Sequence, residues 1–165
     1  MRVQELGYEI RQARTRQGMT QARLARASGI SRVTLNQLEN GLFPDLGIRK
    51  VQTLLKNLGL ELALTESPTR RSPDFIRIAS TTASVSFKES LSDEELIRIL
   101  LTGKIPTNRR PHIRALLDEA SPKILEGLIE EVGRWTKPGR IEKNLAVISK
   151  ALGTSRKILA WMKNG

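Results

Sequence analysis

Between positions 32 and 37 the chain carries Arg32, Val33, Thr34, Asn36 and Gln37. An arginine fork fits the O6 and N7 acceptors of guanine, and the amides of Asn and Gln fit the edge of adenine. The chemistry on offer is therefore non-covalent reading of base edges. Covalent and metal chemistry find little material. Cys is absent and His occurs once, at His112, which excludes thiolate nucleophiles, disulfides, thiolate zinc sites and imidazole clusters. His112 beside Arg109 and Arg110 reads as a solvated helix start that could meet phosphate. Asp118, Glu119, Glu126, Glu130 and Glu131 face no second acidic group or His, and read as a solvated helix face. There is no phosphate-cradling Gly loop and no Ser–His–Asp set, so no enzyme, cofactor or metal is expected.

The elements that position the base-reading run are legible around it. Thr20 and Ser31 are N-cap residues for two short helices, joined by the turn Ser28–Gly29–Ile30. Gly29 suits a backbone position of positive φ, and Ala25 is small enough for a close helix crossing. Ile30, Leu35 and Leu38 fix the pair at a steep angle, and Asn40–Gly41 ends the second helix. This is the grammar of a helix-turn-helix, against the alternative of an ordinary helical hairpin with polar solvent faces. Leu6, Ile10 and Ala13 predict a helix before it, stopped at Gly18. Asp45 is expected to cap a fourth helix with Ile48, Val51, Leu55 and Leu58 on one face. After Gly59 the period changes to two: Leu60, Leu62 and Leu64 alternate as in a half-buried strand.

Residues 4–60, ending the recognition helix in LENG at 38–41, resemble the helix-turn-helix family of phage repressors and Cro. The resemblance implies that Arg32, Val33 and Gln37 face bases, with Thr34 and Asn36 beside them. It implies that Gln21 and Asn40, with Ser31, lie against phosphate. Arg14 and Glu39 match the family's internal ion pair, which makes Arg14 scaffold. Leu42–Phe43–Pro44–Asp45 departs from the basic loop of those repressors. The run LGLELAL at 58–64 is similar to the antitoxin-type members, in which a strand pairs with its copy in a second subunit. That resemblance implies a homodimer on an inverted-repeat operator, autoregulation, and a toxin or other protein held by the C-terminal domain. A lone strand needs such a partner for its backbone; pairing with 75–79 of the same chain is the alternative.

Residues 67–91 hold two Pro and nine Ser or Thr, and read as a linker with short extended pieces around Phe75–Ala79 or Val85–Phe87. Residues 92–165 return to helices, opened by the capping box Ser92/Glu95, by Pro111, and by Ser121–Pro122. Aligning 28–41 with 152–165 makes six of fourteen positions identical, including Gly29/Gly153, Ser31/Ser155 and Arg32/Arg156. A second helix-turn-helix would then present Arg156, Lys157 and Trp161 to DNA or to a partner; two helices joined by any Gly turn would look similar. The expected fold class is all-α: a helix-turn-helix and dimerisation domain at 1–66, a linker at 67–91 and a helical domain at 92–165.

The 165 residues carry 28 Lys and Arg against 17 Asp and Glu, a net charge of +11. Residues 1–66 hold +4, 67–91 hold +2 and 92–165 hold +5, so the excess is not a tail. Double-stranded DNA is the partner this suggests, with plain solubility as the alternative. The start lacks an apolar signal core and no apolar run approaches a membrane span, so the expected location is the bacterial cytoplasm, at the nucleoid, with no membrane partner.

Overall fold

A computed structural model describes residues 2–42, 45–63 and 73–154. The chain divides into two compact units, Met1–Arg70 and Arg71–Gly165. All regular structure among the described residues is helical.

The first unit has four helices: α1 (Val3–Arg16), α2 (Gln21–Ala27), α3 (Arg32–Glu39) and α4 (Ile48–Asn57). The starts of α1, α2 and α3 each have a local cause. The Arg2 amide donates to Glu5 Oε2 at 2.9 Å, the Thr20 hydroxyl accepts from the Arg23 amide, and that of Ser31 from the Thr34 amide. Each bound group is one of the donors a helix start otherwise leaves open. Ile10, Ala13, Leu24, Ala25, Leu35, Leu38, Val51, Leu54, Leu55 and Leu58 form one buried core, edged by Leu6, Met19, Ile30, Leu46 and Leu60.

Two expectations for this unit change. Asp45 does not cap α4: the cap is Gly47, the helix starts at Ile48, and Ile48 is exposed in its first turn. Residues 60–63 are not a strand. Leu60 folds back on the core, its amide donating to the Leu55 carbonyl at 2.9 Å, while Leu62 is 42% exposed. A strand exists only by ladder bonds to a neighbour, and alternation of Leu residues alone supplies none. Leu64 lies outside the described residues.

The second unit holds α5 (Phe75–Ser84), α6 (Asp93–Thr102), a 3₁₀ turn (Thr107–Arg109), α7 (Arg110–Glu119), α8 (Pro122–Gly133) and α9 (Arg140–Leu152). Helix α5 falls within the stretch read as a linker and replaces the extended piece expected at Phe75–Ala79. Asp74 caps it, accepting from the Arg77 amide at 3.0 Å, and Ile76, Ala79, Ser80 and Ala83 form a buried stripe at helical spacing. That period is faint in the sequence because three of the four stripe residues are Ala or Ser. Thr81 and Thr82 return their hydroxyls to the carbonyls of Arg77 and Ile78, four residues back. Val85 and Ser86 form a turn, not a strand.

Helix α8 receives α5. A Cβ on Gly127 would stand 2.4 Å from the Phe75 ring, so only glycine leaves room for it. Glu131 Oε2 accepts from the amides of Phe75 and Ile76 at 3.0 and 3.3 Å, which corrects its reading as a solvated side chain. His112 is also corrected: it is buried, stacked on Phe87 with ring centroids 4.2 Å apart, its Nε2 2.7 Å from the Glu89 carbonyl oxygen. Arg109 turns its Nε to Glu95 Oε1 at 2.9 Å. Burial works to raise the Glu95 carboxyl, but its hydrogen bond with the Ser92 backbone and its contact with Arg109 prevail and hold it below the ordinary value. Its contribution is thus present above the unfolded carboxylate range and is lost as pH falls through the folded value.

The α5–α8 contact can be tested within one helix. Gly127→Ala should lower the unfolding free energy of the full chain by about 1–3 kcal/mol, read from denaturant titration, since overpacking against the Phe75 ring outweighs the gain in helix propensity. Gly133→Ala, where nothing lies within 4 Å of the new Cβ, should stabilise by about 0.4–1 kcal/mol. Equal effects would show that Phe75 does not set the packing.

Candidate nucleic-acid interface

The two helices α2 and α3 are joined by residues 28–31, with Gly29 at φ +64° and the Ile30 amide donating back to the Ala25 carbonyl at 3.1 Å. Leu35 and Leu38 turn inward, and Arg32, Val33, Asn36 and Gln37 are exposed on the opposite side of α3. Val33 is 67% exposed, unusual for a branched apolar residue. Thr34 is half-buried and shares a 2.7 Å hydrogen bond with the Ser31 hydroxyl, so it belongs to the helix start more than to the outer face. Asn40 donates its side-chain amide to the Asn36 carbonyl at 2.7 Å and to Asn36 Oδ1. These two amides are coupled across the last turn of α3.

What holds α3 is a buried carboxylate. Glu39 is 2% exposed, and Arg14 from α1 meets it with two parallel bonds, Nε to Oε1 at 2.6 Å and Nη2 to Oε2 at 2.9 Å. The third guanidinium nitrogen, Nη1, donates to the Met19 carbonyl at 2.7 Å. Gln21, expected against phosphate, donates its side-chain amide to Glu39 Oε2 at 2.9 Å. One carboxylate thus ties the end of α1, the start of α2 and the end of α3 together. Its hydrogen bond raises the Arg14 guanidinium above its ordinary value, against the opposing effect of burial. That contribution is fully present below the arginine range, so it does not titrate near neutral pH.

Two features of the interface were not anticipated from sequence. A Cβ on Gly7 would lie 2.0 Å from the Leu38 carbonyl oxygen, so α1 crosses α3 backbone to backbone at that point. A helical glycine followed by Leu38 in another element carries no sequence signal for this. Arg23 and Arg26, exposed on α2, line an open depression with Thr20, Ala22 and Ala27. Both add positive charge beside α3, and their i, i+3 spacing was the available signal. The residues proposed as a second surface, Arg156, Lys157 and Trp161, lie outside the described residues.

Among the described residues, no three acidic or His side chains converge to hold a metal, and no helix is long and apolar enough to cross a membrane. Residues 10–64, a third of the chain, match a family model described as Helix-turn-helix. Comparison with curated proteins and with solved structures gives no match. The match spans α2, the turn, α3 and α4, and begins within α1. The first unit therefore contains a helix-turn-helix domain, of the class that binds double-stranded DNA in transcription regulation.

Arg14→Ala leaves Glu39 buried with Gln21 as its remaining named partner, at about 3–5 kcal/mol for a fully buried pair. With Arg14 14% exposed, the loss should approach the lower figure and appear as a lower melting temperature. Unchanged melting with selective loss of DNA binding would make Arg14 a DNA contact instead of scaffold.

Proposed function

We propose that this protein is a transcriptional repressor that binds an inverted-repeat operator as a homodimer, with no catalytic activity and no cofactor, in the bacterial cytoplasm at the nucleoid. The observation that carries the reading is the outer face of α3. Arg32, Val33, Asn36 and Gln37 stand exposed on a helix whose other face and last residue are locked into the core. Rigid support is what base readout needs, since the side chains must meet base edges in fixed register. Ser31, Asn40 and the second amide hydrogen of Gln21 supply phosphate contacts in this reading, with Thr34 at the edge of the base-reading set. The +4 of residues 1–66 supports a polyanionic partner.

In the same reading, the segment of Leu60, Leu62 and Leu64, whose described residues form no ladder within a single chain, takes up strand pairing only against its copy in a second one, which gives the two-fold symmetry an inverted repeat requires. The exposure of Leu62 supports this. The biological setting we propose is an antitoxin that represses its own operon while its second unit holds a toxin. Ile78 on α5 and Val85 in the turn that follows it, both exposed, support a partner protein on that unit.

Selection from a random duplex library with the full chain should return a two-fold symmetric site with half-sites about 10–10.5 base pairs apart. On that site, Arg32→Ala and Gln37→Ala should each cost about 1–3 kcal/mol and relax the preference at one position per half-site. Undiminished sequence preference in both variants would overturn the assignment of α3. Sedimentation tests the dimer: Leu62→Pro should yield monomer, because proline removes a ladder donor, and an unchanged dimer would place the interface elsewhere.

A further inference from the structure

We propose that the outer face of α9, with Arg110 of α7 at its C-terminal end, binds the phosphate backbone of duplex DNA beside the operator and independently of sequence. This rests on the reading of α3 as the base-reading helix.

The second unit, Arg71–Gly165, is basic as a whole, with 17 Lys and Arg against 11 Asp and Glu. Helix α9 carries three basic and one acidic side chain, a third of that excess in thirteen residues. The distribution on the helix is polarised. Ile141, Leu145, Ile148 and Leu152 are buried on one side, and Arg140, Lys143, Val147, Lys150 and Ala151 are exposed on the other. The lone carboxylate of α9, Glu142, is half-buried at the flank. Arg110 joins the stripe because its Nη2 donates to the Ala151 carbonyl at 2.8 Å, while the side chain stays exposed.

At 1.5 Å per residue, Arg140 to Lys150 covers about 15 Å, on the order of four phosphates along one strand. The polar uncharged residues of α9 are turned inward. Asn144 donates to the carbonyls of Leu100 and Leu101 at 2.6 and 3.1 Å, and Ser149 shares a hydrogen bond with Thr154. The exposed face thus offers cations, Val147 and Ala151, and no amide or hydroxyl to distinguish one base from another. Phosphate is what such a face can bind. The duplex is also the polyanion already at hand: once α3 is seated, the second unit meets DNA in an intramolecular step, so weak contacts count.

The test measures operator affinity across a range of NaCl concentrations for the full chain and for Arg140→Gln/Lys143→Gln/Lys150→Gln. Each lost phosphate contact should lower the slope of log affinity against log salt by about 0.9, so the triple variant should lose about 2–3 units with its selected sequence unchanged. Single Lys143→Gln and Lys150→Gln variants, each expected to lose about 0.9, keep the test decisive should the triple variant fold poorly. Equal slopes would overturn the proposal and leave an acidic protein surface as the occupant of α9. A wild-type chain that binds DNA without sequence preference, yet loses slope in the variants, would overturn the reading of α3 while upholding this one. No DNA binding by the wild type would overturn both.

Discussion

A carboxylate buried in an apolar core persists only if its charge is met where it lies, and Glu39 is met by Arg14. The cost of removing both ions from water is offset only by good geometry, and here the geometry is bidentate, with Gln21 satisfying a further lone pair. The consequence is directional. Glu39 ends α3, Arg14 belongs to α1 and Gln21 opens α2, so one anion fixes three elements whose mutual angles decide where Arg32 and Gln37 point. Gly7 adds the distance: without a side chain there, α1 comes up against the Leu38 carbonyl. An apolar core of this size could hold three helices together, but the ion pair and the glycine make one arrangement of them preferable to its neighbours.

The second unit fastens its helices by other contacts. Helix α5 is docked through a notch at Gly127 that takes the Phe75 ring, and through Glu131, which receives the first two amides of the helix. A carboxylate at a helix N-terminus satisfies open donors and meets the positive end of the helix dipole. The loop after α5 is fastened by His112 and Phe87. Side chains that looked like surface charge in sequence thus serve as internal fasteners. What is left facing solvent, on α9, is more basic than the unit as a whole.

The helix-turn-helix was legible because its demands are local. A cap, a glycine turn and a small residue at a crossing each leave a mark at fixed spacing, and the exposed set Arg32, Val33, Asn36 and Gln37 follows from where Leu35 and Leu38 must point. Arg14 with Glu39 was reached only through family resemblance, since nothing at a separation of 25 residues announces a contact. Helix α5 is faint in the sequence because Ser and Thr dominate its surroundings and mask the Ile76–Ala79–Ser80–Ala83 spacing. Alternation at Leu60 and Leu62 states which side is apolar but not which neighbour supplies the hydrogen bonds of a strand. His112 and Glu131 are illegible for a related reason: burial of a polar side chain depends on partners far along the chain, Glu89 in one case and the start of α5 in the other.

The central claim is that α3, held rigid by the Glu39 clamp, is the surface that reads DNA. Backbone amide shifts of the isotopically labelled full chain, followed during titration with the duplex it selects, test this directly. The account predicts the largest changes at residues 31–37 and 40, with small changes at Leu24, Leu54 and the other core positions, because the helix docks without repacking. Shifts confined to the second unit, with residues 31–40 unmoved at saturation, would contradict it.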